Sequence, residues 1–158
     1  MYNALYIDDE KSPFVVSLLE ELRKKDIQCN FQYWNEVACN ARVASGIDFK
    51  KLAINLGLEE PDSAANYDSL ILDIMMPSEG MIGTKDGLLT GIKLHEKLLK
   101  ESPSIAKIKT FFITNLPMNC APYEFAEAYV IKIDGTLLRK GSAVRIADRI
   151  KNTISIGK

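Results

Sequence analysis

Short apolar runs that end in polar residues, each separated from the next by a segment with helical spacing, restrict the fold of this chain more than any other feature. The clearest of these runs are Ala4 to Ile7, Ser69 to Ile74 and Thr110 to Thr114. Parallel strands need a crossover connection, so this alternation is typical of βαβ units. We therefore predict an α/β fold with a parallel sheet and helices on both faces.

Weaker patterns lie between these runs. Ser12 and Pro13 are residue types that begin a helix, and apolar residues then recur at helical spacing up to Lys24. Residues 33–66 are predicted to form two short helices joined by a loop, and residues 78–87 a flexible loop. The other predicted elements are a strand at Ile27 to Phe31, a helix from Leu88 to Lys100, a short helix at Pro122 to Tyr129, a strand at Thr136 to Arg139 and a final helix capped by Ser142.

Composition and charge exclude several classes of protein. The chain has 158 residues, a length that favours one domain over 1–158. Its 20 Lys+Arg are balanced by 21 Asp+Glu, which argues against a protein that coats nucleic acid. No apolar run approaches the roughly 20 residues of a membrane helix. The first residues lack a secretory pattern, and Cys29, Cys39 and Cys120 match no zinc or redox spacing. We expect a cytoplasmic protein with ordinary thiols.

Polar residues that can carry chemistry stand at the carboxyl ends of the predicted strands. Asp8 and Asp9 follow the first strand, Asp73 ends the third, Thr114 ends the fourth and Lys140 follows the fifth. The carboxyl ends of parallel strands meet at one edge of an open sheet, which is where ligands bind. We therefore expect three carboxylates, one hydroxyl and one ammonium to lie close together.

Three carboxylates at one place need a cation. Two like charges about 4 Å apart repel by ~4 kcal/mol at an effective dielectric near 20. Oxygen ligands with open coordination positions suit Mg²⁺. A carboxylate beside this metal can attack phosphorus, and Asp73 is the candidate nucleophile, with Thr114 and Lys140 contacting phosphoryl oxygens.

Each of these residues also has a simpler interpretation. An Asp-Asp pair after a strand is often only a helix cap or a turn, Thr114 can be an ordinary strand residue, and Lys140 can be a solvated charge. Asp73 is harder to explain in this way, because an ionised carboxylate in an apolar strand must be paired or bound to a metal. The single histidine, His95, lies on the apolar side of its predicted helix and is expected to pack in the core.

Four segments, YIDDE, LILDIMMP, FFITN and LLRKG, occur in an order that resembles the receiver domains of two-component response regulators. The resemblance extends over nearly the whole chain. It implies a flavodoxin-like, doubly wound sheet of five parallel strands in the order 2-1-3-4-5. It also implies direct binding of Mg²⁺ by Asp9, Asp73 and the backbone carbonyl of Met75, with Asp8 acting largely through water. Thr114 and Lys140 would contact the phosphoryl group and transmit the signal.

Several positions depart from the family pattern. Leu137 occupies the position of the aromatic switch residue, Gly141 replaces the proline that usually follows the Lys, and Asn115 replaces a small residue. Met75 and Leu116 occupy the two positions that orient the hydrolytic water in the family. Because neither side chain can hold a water well, we predict a long-lived phosphoryl group.

The resemblance implies a stand-alone phosphorylation switch rather than an enzyme. A histidine kinase or a histidine phosphotransfer protein would phosphorylate Asp73, and output would pass to a partner protein, with long insertions near 33–66 and 78–87 as candidate partner surfaces. The alternative is a phosphorylation-independent, receiver-like binding module, which Leu137, Asn115 and Gly141 favour. A Mg²⁺-dependent phosphatase is less favoured, because such enzymes usually carry a second acid where this chain has Met75.

Overall fold

Five parallel strands form the central sheet of the protein, in a computed structural model that describes residues 1–58, 66–81 and 87–156. Their order is β2-β1-β5-β6-β7, which confirms the predicted order 2-1-3-4-5 once two short intervening strands are set aside. In chain order the elements are β1 (Tyr2–Asp8), α1 (Pro13–Lys24), β2 (Ile27–Tyr33), α2 (Trp34–Asn40), β3 (Arg42–Val43), β4 (Gly46–Ile47), α3 (Phe49–Asn55), β5 (Ser69–Asp73), α4 (Thr90–Glu101), a 3₁₀ turn (Pro103–Lys107), β6 (Lys109–Thr114), α5 (Ala121–Lys132), β7 (Thr136–Arg139) and α6 (Ala143–Ile156).

Helices cover both faces of the sheet, as predicted. Along β5, Leu70 and Leu72 pack on the layer that contains α2, α3 and α4, whereas Ile71 packs on the layer formed by α1 and α6. Successive side chains of a strand point to opposite faces, so strands buried on both faces appear as continuous apolar runs. No helix within the described part of the chain is long and apolar enough to span a membrane.

The region 33–66 contains the two predicted short helices, but the connection between them is more ordered than a loop. β3 and β4 form an antiparallel hairpin with Arg42 opposite Ile47 and Val43 opposite Gly46. The prediction of a plain loop was wrong because strands of two residues each are too short to show an alternating pattern. Residues 59–65, and residues 82–86 of the predicted loop 78–87, lie outside the described residues.

The first turn of α4 packs directly on the backbone that follows β5. The Gly91 amide donates to the Ile74 carbonyl at 2.9 Å, and the Thr90 hydroxyl donates to the Met76 carbonyl at 2.5 Å. A Cβ atom added at Gly91 would lie 2.8 Å from the Ile74 Cα and closer still to the Asp73 carbonyl oxygen. A glycine is therefore required where α4 meets the end of β5.

His95 lies in the core on the inner side of α4. Its side chain is 2% exposed, its Nδ1 is 2.7 Å from the Tyr129 hydroxyl, and its ring packs edge-on against Phe112. Burial lowers the pKa of His95 to about 4. The residue therefore occupies the packing position expected from the sequence.

Because the His95 imidazole is buried, we predict that His95 lowers the free energy of unfolding of the protein in acid. Between pH 6.5 and 4 the unfolded chain binds a proton on His95 that the folded chain does not, so the free energy of unfolding falls as the pH is lowered, by up to about 3 kcal/mol. We expect His95→Gln to lack this component in urea unfolding series at pH 7 and pH 4. Equal losses of stability in the parent and the variant would contradict the prediction.

Candidate functional site

The register of the sheet brings the chemistry-bearing residues to one edge. β1 pairs with β5 so that Ile7 lies opposite Leu72, which places the next residues of the two strands, Asp8 and Asp73, side by side. Asp73 in turn lies opposite Ile113 of β6, one residue before Thr114. Thr114 lies opposite Arg139 of β7, and its carbonyl accepts the Lys140 amide at 2.9 Å.

Three carboxylates meet at this edge, and we name Asp8, Asp9 and Asp73 the acid cluster. One oxygen of each residue lies within 4.8 Å of an oxygen of the others. Asp8 and Asp73 are buried, and Asp9 is partly buried. The spacing allows all three residues to surround one small cation.

Lys140 provides the positive charge beside the acid cluster. Its ammonium lies 3.5 Å from Asp73 Oδ1 and 3.6 Å from Asp8 Oδ2, and a third acid, Glu10, is at 3.8 Å. The Lys140 side chain is only 9% exposed, and the ammonium also lies over the ring of Phe14. One lysine cannot balance three ionised carboxylates, so full ionisation of the cluster requires a further cation.

The oxygens of Asp8 are already engaged by the protein. Tyr6 donates its hydroxyl to Asp8 Oδ2 at 2.8 Å, and the Glu10 amide donates to Oδ1 at 3.1 Å. Tyr6 is fully buried, and the burial of its phenol, together with the charge of Asp8, raises its pKa, so the hydroxyl stays protonated and remains a donor. Asp8 is therefore better suited to bind a metal-coordinated water than a metal directly.

Asp9 differs from Asp8, because its Oδ1 is buried without a hydrogen-bond partner among the described residues. A buried carboxylate oxygen without a partner is costly unless a ligand satisfies it. All the ligand atoms offered are hard oxygens, which suit Mg²⁺ better than softer metals. The acid cluster thus fits a magnesium ion.

The pKa values of the cluster also favour a cation. Burial raises the pKa of the Asp73 carboxyl well above its usual range, the negative charge of Asp8 raises it further, and Lys140 offsets these effects only in part. Burial likewise raises the pKa of Asp9. Burial alone would lower the pKa of Lys140, but the charges of Asp73 and Asp8 outweigh it. A divalent cation would favour the ionised carboxylates by displacing their protons.

One backbone carbonyl after β5, that of Met75, differs from its neighbours in its hydrogen bonding. The carbonyls of Ile74, Met76 and Pro77 accept hydrogen bonds from Gly91, Thr90 and Trp34, respectively. The Met75 carbonyl between them accepts none from the described residues. A carbonyl oxygen of this kind is an available ligand for Mg²⁺.

Thr114, Leu137 and Gly141 differ in how closely the protein surrounds them. The fully buried Thr114 hydroxyl accepts the Leu116 amide at 2.9 Å, which leaves its hydrogen available to a further acceptor. Leu137 is half-buried and packs against the core. No heavy atom comes within 4 Å of a Cβ added at Gly141, so a side chain fits there.

Sequence reasoning did not assign roles to Tyr6, Glu10 or Phe14, although all three contact this site. The position of Tyr6 could have been predicted, because residues two apart in a strand lie on the same face of the sheet and Tyr6 precedes Asp8 by two. The contacts of Glu10 and Phe14 with Lys140 depend on how the chain turns into α1, which no local pattern shows.

Comparison with known proteins gives a likeness of structure without a likeness of sequence. No protein-family model matches the chain, and no curated protein sequence matches it either. The receiver domain of the Francisella response regulator 1452 is similar in structure, with a TM-score of 0.61, 19% identity and coverage of 100% of both chains.

Two other solved structures show the same likeness. A CheY-like response regulator receiver domain protein from Methanospirillum hungatei has a TM-score of 0.60 and 13% identity, with coverage of 99% of this chain and 95% of the other. A response regulator from Thermotoga maritima has a TM-score of 0.59 and 13% identity, with coverage of 98% of each chain. Likeness at this level of identity shows a shared fold.

Proposed function

We propose that this chain, which has the fold of a response regulator receiver domain, is a phosphoacceptor switch that receives a phosphoryl group on Asp73. The observation that carries the proposal is the acid cluster with Lys140 at the carboxyl edge of the sheet. The donor is a histidine kinase or a histidine phosphotransfer protein, and output passes through binding of a partner protein. The chain acts as a switch and not as an enzyme with a separate substrate.

Each residue of the site has a role in the transfer. An Asp73 carboxylate oxygen attacks phosphorus, a P–O bond to Asp73 forms, and the P–N bond of the donor phosphohistidine breaks, so the electron pair leaves with the imidazole. Lys140 lies where it can contact a phosphoryl oxygen, and the Thr114 hydroxyl can donate to another.

The metal would be held by oxygens that the structure leaves available. Asp9, Asp73 and the Met75 carbonyl are the proposed direct ligands, and Asp8 is the proposed acceptor for a coordinated water. Bound Mg²⁺ supplies positive charge to the transferring phosphoryl oxygens. Tyr6 and the Glu10 amide hold Asp8 in place while this happens.

Intact-mass measurement tests this function directly. We expect one added phosphoryl group after incubation with acetyl phosphate and Mg²⁺, in which Asp73 displaces acetate, and none after Asp73→Asn or removal of Mg²⁺ with a chelator. Asp68→Asn is the matched control, because Asp68 accepts the Asn3 amide at the opposite end of β1 and should label like the parent. Absence of labelling in the parent would instead favour the phosphorylation-independent binding module.

A chase of the labelled protein tests the predicted slow hydrolysis. Leu116 is buried and Met75 is half-buried, so neither offers a polar group to orient an attacking water. Decay of the added mass within seconds would contradict that expectation.

A further inference from the structure

The segment that follows Asp73 is held by the inserted elements α2 and β3. The Trp34 indole N–H donates to the Pro77 carbonyl at 2.6 Å, and the Asn35 side-chain amide donates to Glu79 Oε1 at 3.2 Å. The Arg42 guanidinium donates to Glu79 Oε2 at 2.7 Å and to the Glu79 carbonyl at 3.0 Å. We call these contacts the loop clamp.

Glu79 adopts a backbone conformation that depends on outside support. Its φ is 49°, in the left-handed region that disfavours residues other than glycine. Such conformations persist when neighbouring groups hold them, and here Arg42 binds both the side chain and the carbonyl of Glu79. The hairpin also touches the next residue, because a Cβ added at Gly46 would lie 3.0 Å from the Gly80 carbonyl oxygen.

The other side of the same segment is fixed by α4, through Thr90 on the Met76 carbonyl and Gly91 on the Ile74 carbonyl. The α4 contacts therefore hold the residues on each side of Met75, and the loop clamp holds the same backbone at Pro77 and Glu79. Because the position of a backbone ligand follows the position of its peptide, both anchors contribute to the geometry of the acid cluster.

We propose that Arg42 and Glu79 are a positioning pair for the metal and phosphoryl site. The pair holds the backbone that carries the Met75 carbonyl, and in return occupancy of the acid cluster stabilises the β3–β4 hairpin, because coupling between two sites is reciprocal. This inference rests on the proposed function. It identifies the hairpin as the surface whose local stability reports metal occupancy of the acid cluster.

The exposure of the pair separates this role from a purely structural one. The side chain of Arg42 is 47% exposed and that of Glu79 is 22% exposed. Ion pairs this close to solvent contribute little to global stability. Their removal is therefore expected to shift the Pro77–Glu79 backbone locally and to leave the free energy of unfolding almost unchanged.

The test measures Mg²⁺ affinity by titration calorimetry in the full chain. We expect Arg42→Met and Glu79→Gln each to bind Mg²⁺ roughly tenfold more weakly than the parent, and the double variant to bind no more weakly than either single one. Arg23→Met is the matched control, since Arg23 pairs with Glu20 in an exposed bridge on α1, and its affinity should equal that of the parent.

Amide hydrogen exchange gives an independent measurement of the coupling. Mg²⁺ is expected to slow the exchange of β3 and β4 amides in the parent and in Arg23→Met, but not in Glu79→Gln.

Three outcomes would overturn the inference. Parent-like Mg²⁺ affinity in both Arg42→Met and Glu79→Gln would remove the positioning role and leave the proposed function intact. A loss of affinity matched by an equal loss of unfolding free energy would show that the pair is only structural. A parent that binds no Mg²⁺ would overturn the inference and the proposed metal site together.

Discussion

Gly91→Ala is expected to cost about 3 kcal/mol or more of unfolding free energy. The added methyl group would lie 2.8 Å from the Ile74 Cα and would press on the Asp73 carbonyl oxygen, so α4 or the end of β5 must move. Both neighbours are backbone atoms in a buried region, which cannot adjust as a flexible side chain can. Urea unfolding followed by circular dichroism measures the loss.

Gly141→Ala is the matched control for this substitution. No heavy atom lies within 4 Å of the new Cβ, and the residue is exposed. We expect its free energy of unfolding to stay within about 0.5 kcal/mol of the parent. Equal stability of Gly91→Ala and Gly141→Ala would show that α4 can move away from β5 without cost.

Removing the charge of Lys140 is the second change with a large expected effect. Lys140→Met removes the ammonium that lies 3.6 Å from the Asp8 carboxyl group and 3.5 Å from the Asp73 carboxyl group, both of them buried. Breaking a buried ion pair by removing one partner costs roughly 3 kcal/mol or more, because the remaining group must keep a buried charge without its counterion or take up a proton. We expect a loss of this size in urea unfolding at neutral pH in the absence of divalent ions.

A second substitution separates charge from packing in this prediction. Asp73→Asn removes one of the two buried acids that Lys140 pairs with, so Lys140→Met combined with Asp73→Asn should lose less stability than the two single changes added together. Lys11→Met is the surface control, because Lys11 is 65% exposed and lies 4.0 Å from Glu36. Strictly additive losses in the double variant would rule out the electrostatic explanation.

The fold was readable from the sequence where burial is strongest. β5 and β6 are covered on both faces, so their apolar runs mark strands whatever surrounds them. The end of α5 was less readable. This helix extends to Lys132 with Phe125 and Ile131 exposed, so apolar residues on its outer face obscure the helical period beyond Tyr129.

The acid cluster followed from topology, because parallel pairing in register places strand ends together wherever the strands lie in the sequence. The loop clamp could not be predicted in this way. Arg42 contacts Glu79, which is 37 positions away in the sequence. The contact requires a left-handed backbone conformation at Glu79, and the sequence does not predict this conformation because the residue is not a glycine. Contacts of this kind depend on the path of a connection rather than on a periodic pattern.

The chain contains a single tryptophan, Trp34, and this has a practical consequence. The indole is fully buried, and its N–H is bonded to the carbonyl of Pro77, four residues beyond Asp73. The tryptophan fluorescence of the protein therefore comes from one residue, and that residue contacts the segment next to the acid cluster. The unlabelled protein carries its own optical probe of that segment.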